Sequence, residues 1–279
     1  MHTHVTAARD LSGRTVAVTG AGRGIGRATA TALARAGARV ALGDVDADAA
    51  LRAAGELGDG ALGLPLDVTD EESFADFLEA ATELGPLYGL VNNAGVMQIG
   101  PFAKETAATA RRMIDINAEG VARGMRLAAP GFLERGSGHL VNVASTAARI
   151  GVPGAATYCG TKWFVLGLSQ AVHAELRGTG VELSCVLPGF VRTELTSGVK
   201  RPGYVREVEP EDIAEAIVGA LHRPRLQVWV PRSLGPVTYV NSLLPRAVRE
   251  GAARILGADR VFLDFDVAAR AGYEERVSR

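Results

Sequence analysis

Cysteine is scarce in this chain: only Cys159 and Cys185 occur in 279 residues. Two thiols cannot build a disulfide framework, so the sequence suits a reducing, cytoplasmic setting. An excess of charge of either sign is also missing. The formal net charge is −1, which leaves no global basic field for nucleic acid and no acidic tail. No run reaches the ~18 uninterrupted apolar residues of a membrane-spanning helix. The opening stretch MHTHVTAARDLSG lacks an apolar h-region, so no secretory signal is expected. The five histidines (His2, His4, His139, His173 and His222) show no metal-ligand spacing. No metal is expected, and His2 and His4 are read as part of a solvated terminus. Internal repeats and low-complexity linkers are absent.

What is present is a regular alternation. Thr15 to Thr19 reads as a buried strand, Ile25 to Ala36 as an alanine-rich helix, and Arg39 to Gly43 as a second strand. Helix 47–57, strand 61–65, helix 70–84 and strand 88–91 follow. A long helix over 106–135 should kink near Pro130. Strand 139–144, helix 157–177, strand 181–187, helix 209–221 and strand 226–230 complete the series. Seven short apolar strands separated by helices predict an α/β fold, a doubly wound (Rossmann) parallel sheet with helices on both faces. A single domain is expected over 1–279, with a core over 12–230 and a helical extension over 231–279.

Thr19 to Gly26 (TGAGRGIG) joins the first strand to the first helix. Gly20 suits the tight turn, Gly24 lets a phosphate approach the backbone, and Gly26 lets the helix lie against the sheet. The amides around Ile25 then face a pyrophosphate at a positive helix end. Asp44 ends the second strand 18 residues after Gly26, where a carboxylate can bind adenosine ribose hydroxyls. Such a carboxylate repels a 2′-phosphate, which favours NAD over NADP. Arg23 argues the other way, since it could meet that phosphate, pair with Asp44 or lie over the adenine.

Ser145 through Lys162 carries a serine, then Tyr158, then Lys162 four residues on along one helical face. An ammonium beside a phenol favours the phenolate and lowers its pKa, which suits proton exchange with an alcohol or carbonyl oxygen. Cys159 has no positioned base and reads as a filler residue, and Asn142 as a structural strand residue.

In this order the motifs Thr19-Gly20-x-x-x-Gly24-x-Gly26, Asp67-Val68, Asn92-Asn93-Ala94-Gly95, Asn117, Ser145, Tyr158-x-x-x-Lys162 and Pro188-Gly189 closely resemble the short-chain dehydrogenase/reductase family. The resemblance implies that Asp67 and Val68 meet the adenine, that Asn92 braces the sheet, and that Asn93, Ala94 and Gly95 pass the cofactor ribose. It implies Tyr158 as general acid/base, Lys162 on the nicotinamide ribose, Ser145 on the substrate oxygen and Asn117 holding a water beside Lys162. Pro188, Gly189, Val191 and Thr193 would lie at the carboxamide. It also implies a homodimer or homotetramer.

The expected substrate is an apolar secondary alcohol or ketone of steroid, terpenoid or fatty type. The segment 146–157 is small and apolar except for Arg149, and 190–208 reads as an irregular mobile lid. In that lid Lys200, Arg201 and Arg206 are read as solvated. From Gly235 onward, one or two amphipathic helices should cap the pocket or pack between subunits, ahead of resting on a membrane surface. A non-catalytic NAD(H) sensor or scaffold is the alternative, and the intact Asn117, Ser145, Tyr158 and Lys162 set argues against it. The compact length argues against a dehydratase or epimerase.

Overall fold

A computed structural model describes residues 9–201, 203 and 205–278. His2, His4, and Pro202 and Tyr204 of the expected lid lie outside the described residues. In chain order the elements are β1 (Thr15–Thr19), α1 (Gly24–Arg35), β2 (Arg39–Asp44), α2 (Ala47–Leu57), β3 (Ala61–Pro65), α3 (Glu71–Ala81) and β4 (Leu87–Asn92). There follow α4 (Ala107–Ile114), a π turn (Asp115–Glu119), α5 (Gly120–Glu134), β5 (Gly138–Val143), α6 (Ala156–Glu175) and β6 (Val181–Pro188). The last are β7 (Phe190–Val191), β8 (Glu207–Val208), α7 (Pro210–His222), β9 (Gln227–Val230), α8 (Leu234–Leu243), α9 (Arg246–Ile255) and α10 (Val267–Ser278).

Seven strands form one parallel sheet in the order β3-β2-β1-β4-β5-β6-β9. Every residue of β1, β4 and β5 is buried, which is why these strands read as continuous apolar runs rather than alternating ones. Alternate residues serve opposite faces. Ala17, Leu90, Leu140 and Leu183 join Phe74, Phe77, Met125, Phe132 and Val165 on the side of α3, α5 and α6. Val16, Val18, Val91, Val141 and Val186 join Leu33, Ile213 and Ile217 on the side of α1 and α7. The doubly wound sheet expected from the alternation is therefore the one observed.

Two expectations are corrected. The long helix is not interrupted at Pro130, which sits inside α5. Pro130 is exposed, so the backbone carbonyl that its missing N–H leaves without a partner lies on the solvent side of the helix. The irregularity falls instead at the π turn, whose Asn117 side chain bonds to a neighbouring segment. The lid is also less irregular than expected, because β7 and β8 pair in parallel and a 3-10 turn spans Glu194–Thr196.

Phe132 is fully buried, and a Cβ on Gly138 would lie 2.2 Å from its ring, so the two positions are fitted to each other. Phe132→Ala should lower the unfolding free energy by about 3–5 kcal/mol, read by urea denaturation.

Candidate active site

The glycine turn owes its shape to two left-handed residues, Gly20 (φ 64°) and Gly24 (φ 51°). A Cβ on Gly26 would lie 2.1 Å from the Gly20 carbonyl oxygen, so only glycine lets α1 start there. Helices α2, α3 and α4 are capped by the side chains of Asp46, Asp70 and Thr106. Helix α1 has no side-chain cap and no acidic residue in its first turn. Its leading amides thus suit an anion supplied from outside the chain. Ile25 follows in the first turn and packs against the apolar cluster under α1.

Asp44 is buried, with Oδ2 accepting from the Gly22 amide at 2.9 Å and Oδ1 from the Asp46 amide at 3.0 Å. Of the roles weighed from the sequence, Arg23 does not take the pairing with Asp44: its guanidinium pairs with Asp46, 2.5 Å away. Beyond β3, Asp67 is exposed and accepts from the Thr69 amide and hydroxyl at 2.8 and 2.7 Å, while Val68 is buried.

The turn is tied to the end of β4. The Thr19 hydroxyl accepts from the amides of Asn93 and Ala94, each at 3.0 Å. The Asn93 carboxamide donates to the carbonyls of Thr19 and Gly20 at 2.9 and 3.1 Å. Asn92 bridges to Asn142 at 2.9 Å, and Asn142 donates to Ser169 at 3.0 Å, so both asparagines brace the sheet.

Past β4 the chain meets the π turn. The Asn117 carboxamide accepts from the Val96 amide and donates to the Val96 carbonyl, each at 2.8 Å, and reaches the Thr161 hydroxyl at 3.3 Å. Gly95 fills the gap between, where a Cβ would lie 3.3 Å from Asn117 Oδ1 and 3.7 Å from Lys162 Nζ. The Lys162 ammonium donates to the Val143 carbonyl at 2.9 Å and lies 5.7 Å from the centre of the Tyr158 ring. Ser145 opens a short turn after β5, where its Oγ accepts from the Ala147 amide, and its side chain lies beside the Tyr158 phenol. The four residues singled out as catalytic candidates thus come together in one buried cluster.

The electrostatics of this cluster correct one expectation. Burial pushes the Tyr158 phenol above its ordinary value, with only the Ser145 side chain pulling the other way. Burial also brings Lys162 down to about 8. Among the chain's own groups desolvation therefore outweighs the lowering expected from the ammonium, which is spent on the Val143 carbonyl. Cys159 accepts weakly from the Val152 amide at 3.4 Å, and burial raises its thiol, as befits a filler residue.

One side of this cluster is apolar. Met97, Met113, Ala147, Ala155 and Tyr158 cluster with Val152, Leu195 and Phe262. Arg149 is turned to Gln227 at 3.5 Å. Pro188 ends β6, and the Gly189 amide donates to Val230 at 2.8 Å. Val191 is buried in β7, and the methyl of Thr193 would lie 3.7 Å from a Cβ on Gly24, so the 191–193 segment faces the glycine turn. A pocket of about 290 Å³ opens beside this wall, lined among others by Gln98, Phe102, Glu105, Gly154 and Glu274. None of the four catalytic candidates lines it.

Sequence reasoning expected a helical extension here but did not single out Arg270, Tyr273 or Glu274 of α10. Arg270 is fully buried and donates to the carbonyls of Met97, Leu195 (2.8 Å) and Ser197 (3.1 Å), with Glu274 as its ion partner at 2.5 Å. Tyr273 accepts from the Met97 amide at 2.8 Å, and burial pushes its phenol up to about 12. Arg270, Tyr273 and Glu274 stand at i, i+3 and i+4, a spacing that does announce one shared helical face.

A lysine held near 8 when folded and at 10.5 when unfolded penalises the folded state while both forms are protonated. The penalty is relieved as pH rises through the folded value, where the unfolded chain binds more protons. Lys162→Met removes this penalty. Its stability relative to wild type should therefore fall between pH of about 8 and 10, measured by urea denaturation across that range.

A sequence profile for short chain dehydrogenases matches residues 14–202. A glycine betaine reductase of Emericella nidulans is 38% identical over 227 residues, covering 77% of this chain but only 18% of that protein. The 2-(S)-hydroxypropyl-CoM dehydrogenase 3 of Xanthobacter autotrophicus is 35% identical, covering 75% of this chain and 89% of its own length. A 3-alpha-(or 20-beta)-hydroxysteroid dehydrogenase of Mycobacterium tuberculosis is 32% identical, covering 77% and 79%. The crystal structure of a short chain dehydrogenase/reductase from Burkholderia phymatum in complex with NAD superposes with a TM-score of 0.76 at 26% identity, covering 84% of this chain and 94% of that one. With its glycine turn, its braced sheet edge and its Ser–Tyr–Lys cluster, this chain belongs to the short-chain dehydrogenase/reductase family.

Proposed function

We propose that the protein is an NAD-dependent oxidoreductase that interconverts a secondary alcohol and a ketone. The observation that carries this reading is the convergence of Asn117, Ser145, Tyr158 and Lys162 in one buried cluster beside Gly95. Tyr158 exchanges the proton with the substrate oxygen, and Ser145, beside the phenol, holds that oxygen in place. Lys162 is the nearest cation to the Tyr158 ring and the next group on the proton's way out. Asn117 shapes the π turn around it and keeps a water there. NAD, when bound, takes up or gives the hydride.

The residues present fit that cofactor. The uncapped amides over Gly20, Arg23, Gly24, Ile25 and Gly26 suit the pyrophosphate, and Asp44 the adenosine ribose. Asp67 and Val68 would border the adenine, Asn93, Ala94 and Gly95 the inner ribose with Tyr158 and Lys162, and Pro188, Gly189, Val191 and Thr193 the carboxamide. NAD is preferred over NADP because a 2′-phosphate would meet the Asp44 carboxylate, while the Arg23 that might offset it is engaged by Asp46.

An apolar alcohol or ketone of steroid, terpenoid or fatty type suits the wall of Met97, Met113, Val152, Leu195 and Phe262. The hydroxysteroid dehydrogenase relative favours the same class. The extension caps this wall through α10, whose Arg270 and Tyr273 both bond to Met97. Exposed Leu133, Trp163 and Phe164 on α5 and α6 favour pairing into a homodimer or homotetramer. Free, buried Cys159 and Cys185 suit the cytoplasm, and no helix among the described residues is long and apolar enough to cross a membrane.

Tyr158→Phe should bind NADH almost unchanged, by fluorescence titration, yet lose at least ~10²-fold in turnover against alcohols screened by absorbance of the reduced cofactor. Retained turnover would overturn the mechanism, and retained binding without any wild-type turnover would favour the sensor. Asp44→Ala should narrow the ratio of kcat/KM for NAD over NADP, and an unchanged ratio would remove Asp44 from the ribose site.

A further inference from the structure

Helices α8 and α9 are arranged the wrong way round for an ordinary surface hairpin. A surface helix normally turns its apolar stripe inward and its charges to water. The stretch 233–245 that contains α8 has no charged side chain at all. Apart from Leu234, which lies against Gly189, what α8 turns inward is small or polar: Thr238 is buried, and a Cβ on Gly235 would lie 3.0 Å from the Trp229 ring. What it turns outward is Val237, Tyr239, Val240 and Leu243, between 59% and 73% exposed. Helix α9 buries no residue. At 3.6 residues per turn, Val248 and Ile255 share one face, and Ile255 is 86% exposed. Arg249 and Arg254 fall on the two flanks of that face.

The charge of the segment indicates the partner. Residues 232–256 carry four arginines (Arg232, Arg246, Arg249 and Arg254) against Glu250 alone, a net +3 in a chain whose total is −1. A second copy docking through the same face would set one arginine rim against another, since a two-fold contact matches each patch to itself. A bilayer surface carrying anionic phospholipid satisfies both features, taking the apolar side chains below the headgroups and the arginines among them. We propose that the α8–α9 hairpin is a monotopic docking surface for an anionic lipid bilayer. The surface stands on exposure and charge and does not depend on the reaction catalysed. It does place the bilayer near the substrate wall, because the segment after α9 packs Phe262 into that wall and lays its carbonyl against Gly154.

The test is sedimentation of the full chain with vesicles of phosphatidylcholine alone or mixed with phosphatidylglycerol. The wild type should pellet with the mixed vesicles and be released by salt. Each arginine near such a surface is worth roughly fivefold in affinity, so Arg249→Glu with Arg254→Glu should weaken binding by at least about 25-fold. Val240→Asp with Leu243→Asp should abolish it without lowering the melting temperature, because both side chains are exposed. Wild-type protein that stays in the supernatant with both vesicles would overturn the proposal. So would aspartate variants that pellet as wild type, or that instead change the oligomeric state by light scattering, which would make the patch a contact between copies.

Discussion

Everything at the reactive edge depends on how two strands far apart in sequence are joined where the strand order reverses, between β1 and β4. A crevice opens at such a point in any doubly wound sheet. Here Thr19 and Asn93 staple its two lips with four hydrogen bonds. On one side the staple fixes the glycine turn and the exposed amides of α1. On the other it sets the path of Ala94 and Gly95, and so the place where Val96 meets Asn117. The glycine turn and the Asn117–Lys162 cluster therefore share one rigid reference.

The second theme is desolvation. Lys162, Tyr158, Ser145 and Asn117 are all buried, and Lys162, Ser145 and Asn117 each have a backbone partner: a carbonyl, an amide or both. Burial holds the phenol protonated and loosens the grip of lysine on its proton. Such a site responds strongly to any charge brought into it, because interactions in a dry interior are little screened.

Much of this was legible in the sequence, and what was not has identifiable causes. Strand positions came through because parallel strands buried on both faces leave unbroken apolar runs bounded by Gly, Pro or Asp. The catalytic candidates came through because their spacing is tied to strand ends. The π turn did not, because Asn117 is pulled out of the regular helical ladder by Val96, a tertiary contact with no local signature. Arg23 was ambiguous for the same reason, since Asp44 and Asp46 differ in reach only once β2 and α2 are placed. The role of α10 was hidden because Arg270 looks like a surface residue until the carbonyls of Leu195 and Ser197 close around it.

Arg270 and Met97 are 173 residues apart, and Tyr273 and Met97 176 apart. The seven-stranded sheet is complete at Val230, and α10 begins only at Val267. The apolar wall around Met97, in contrast, is closed by α10, which lies outside the sheet. Scaffold and wall are thus built by separate stretches of the chain. Loss of α10 would leave every strand pairing in place and open the wall at Met97.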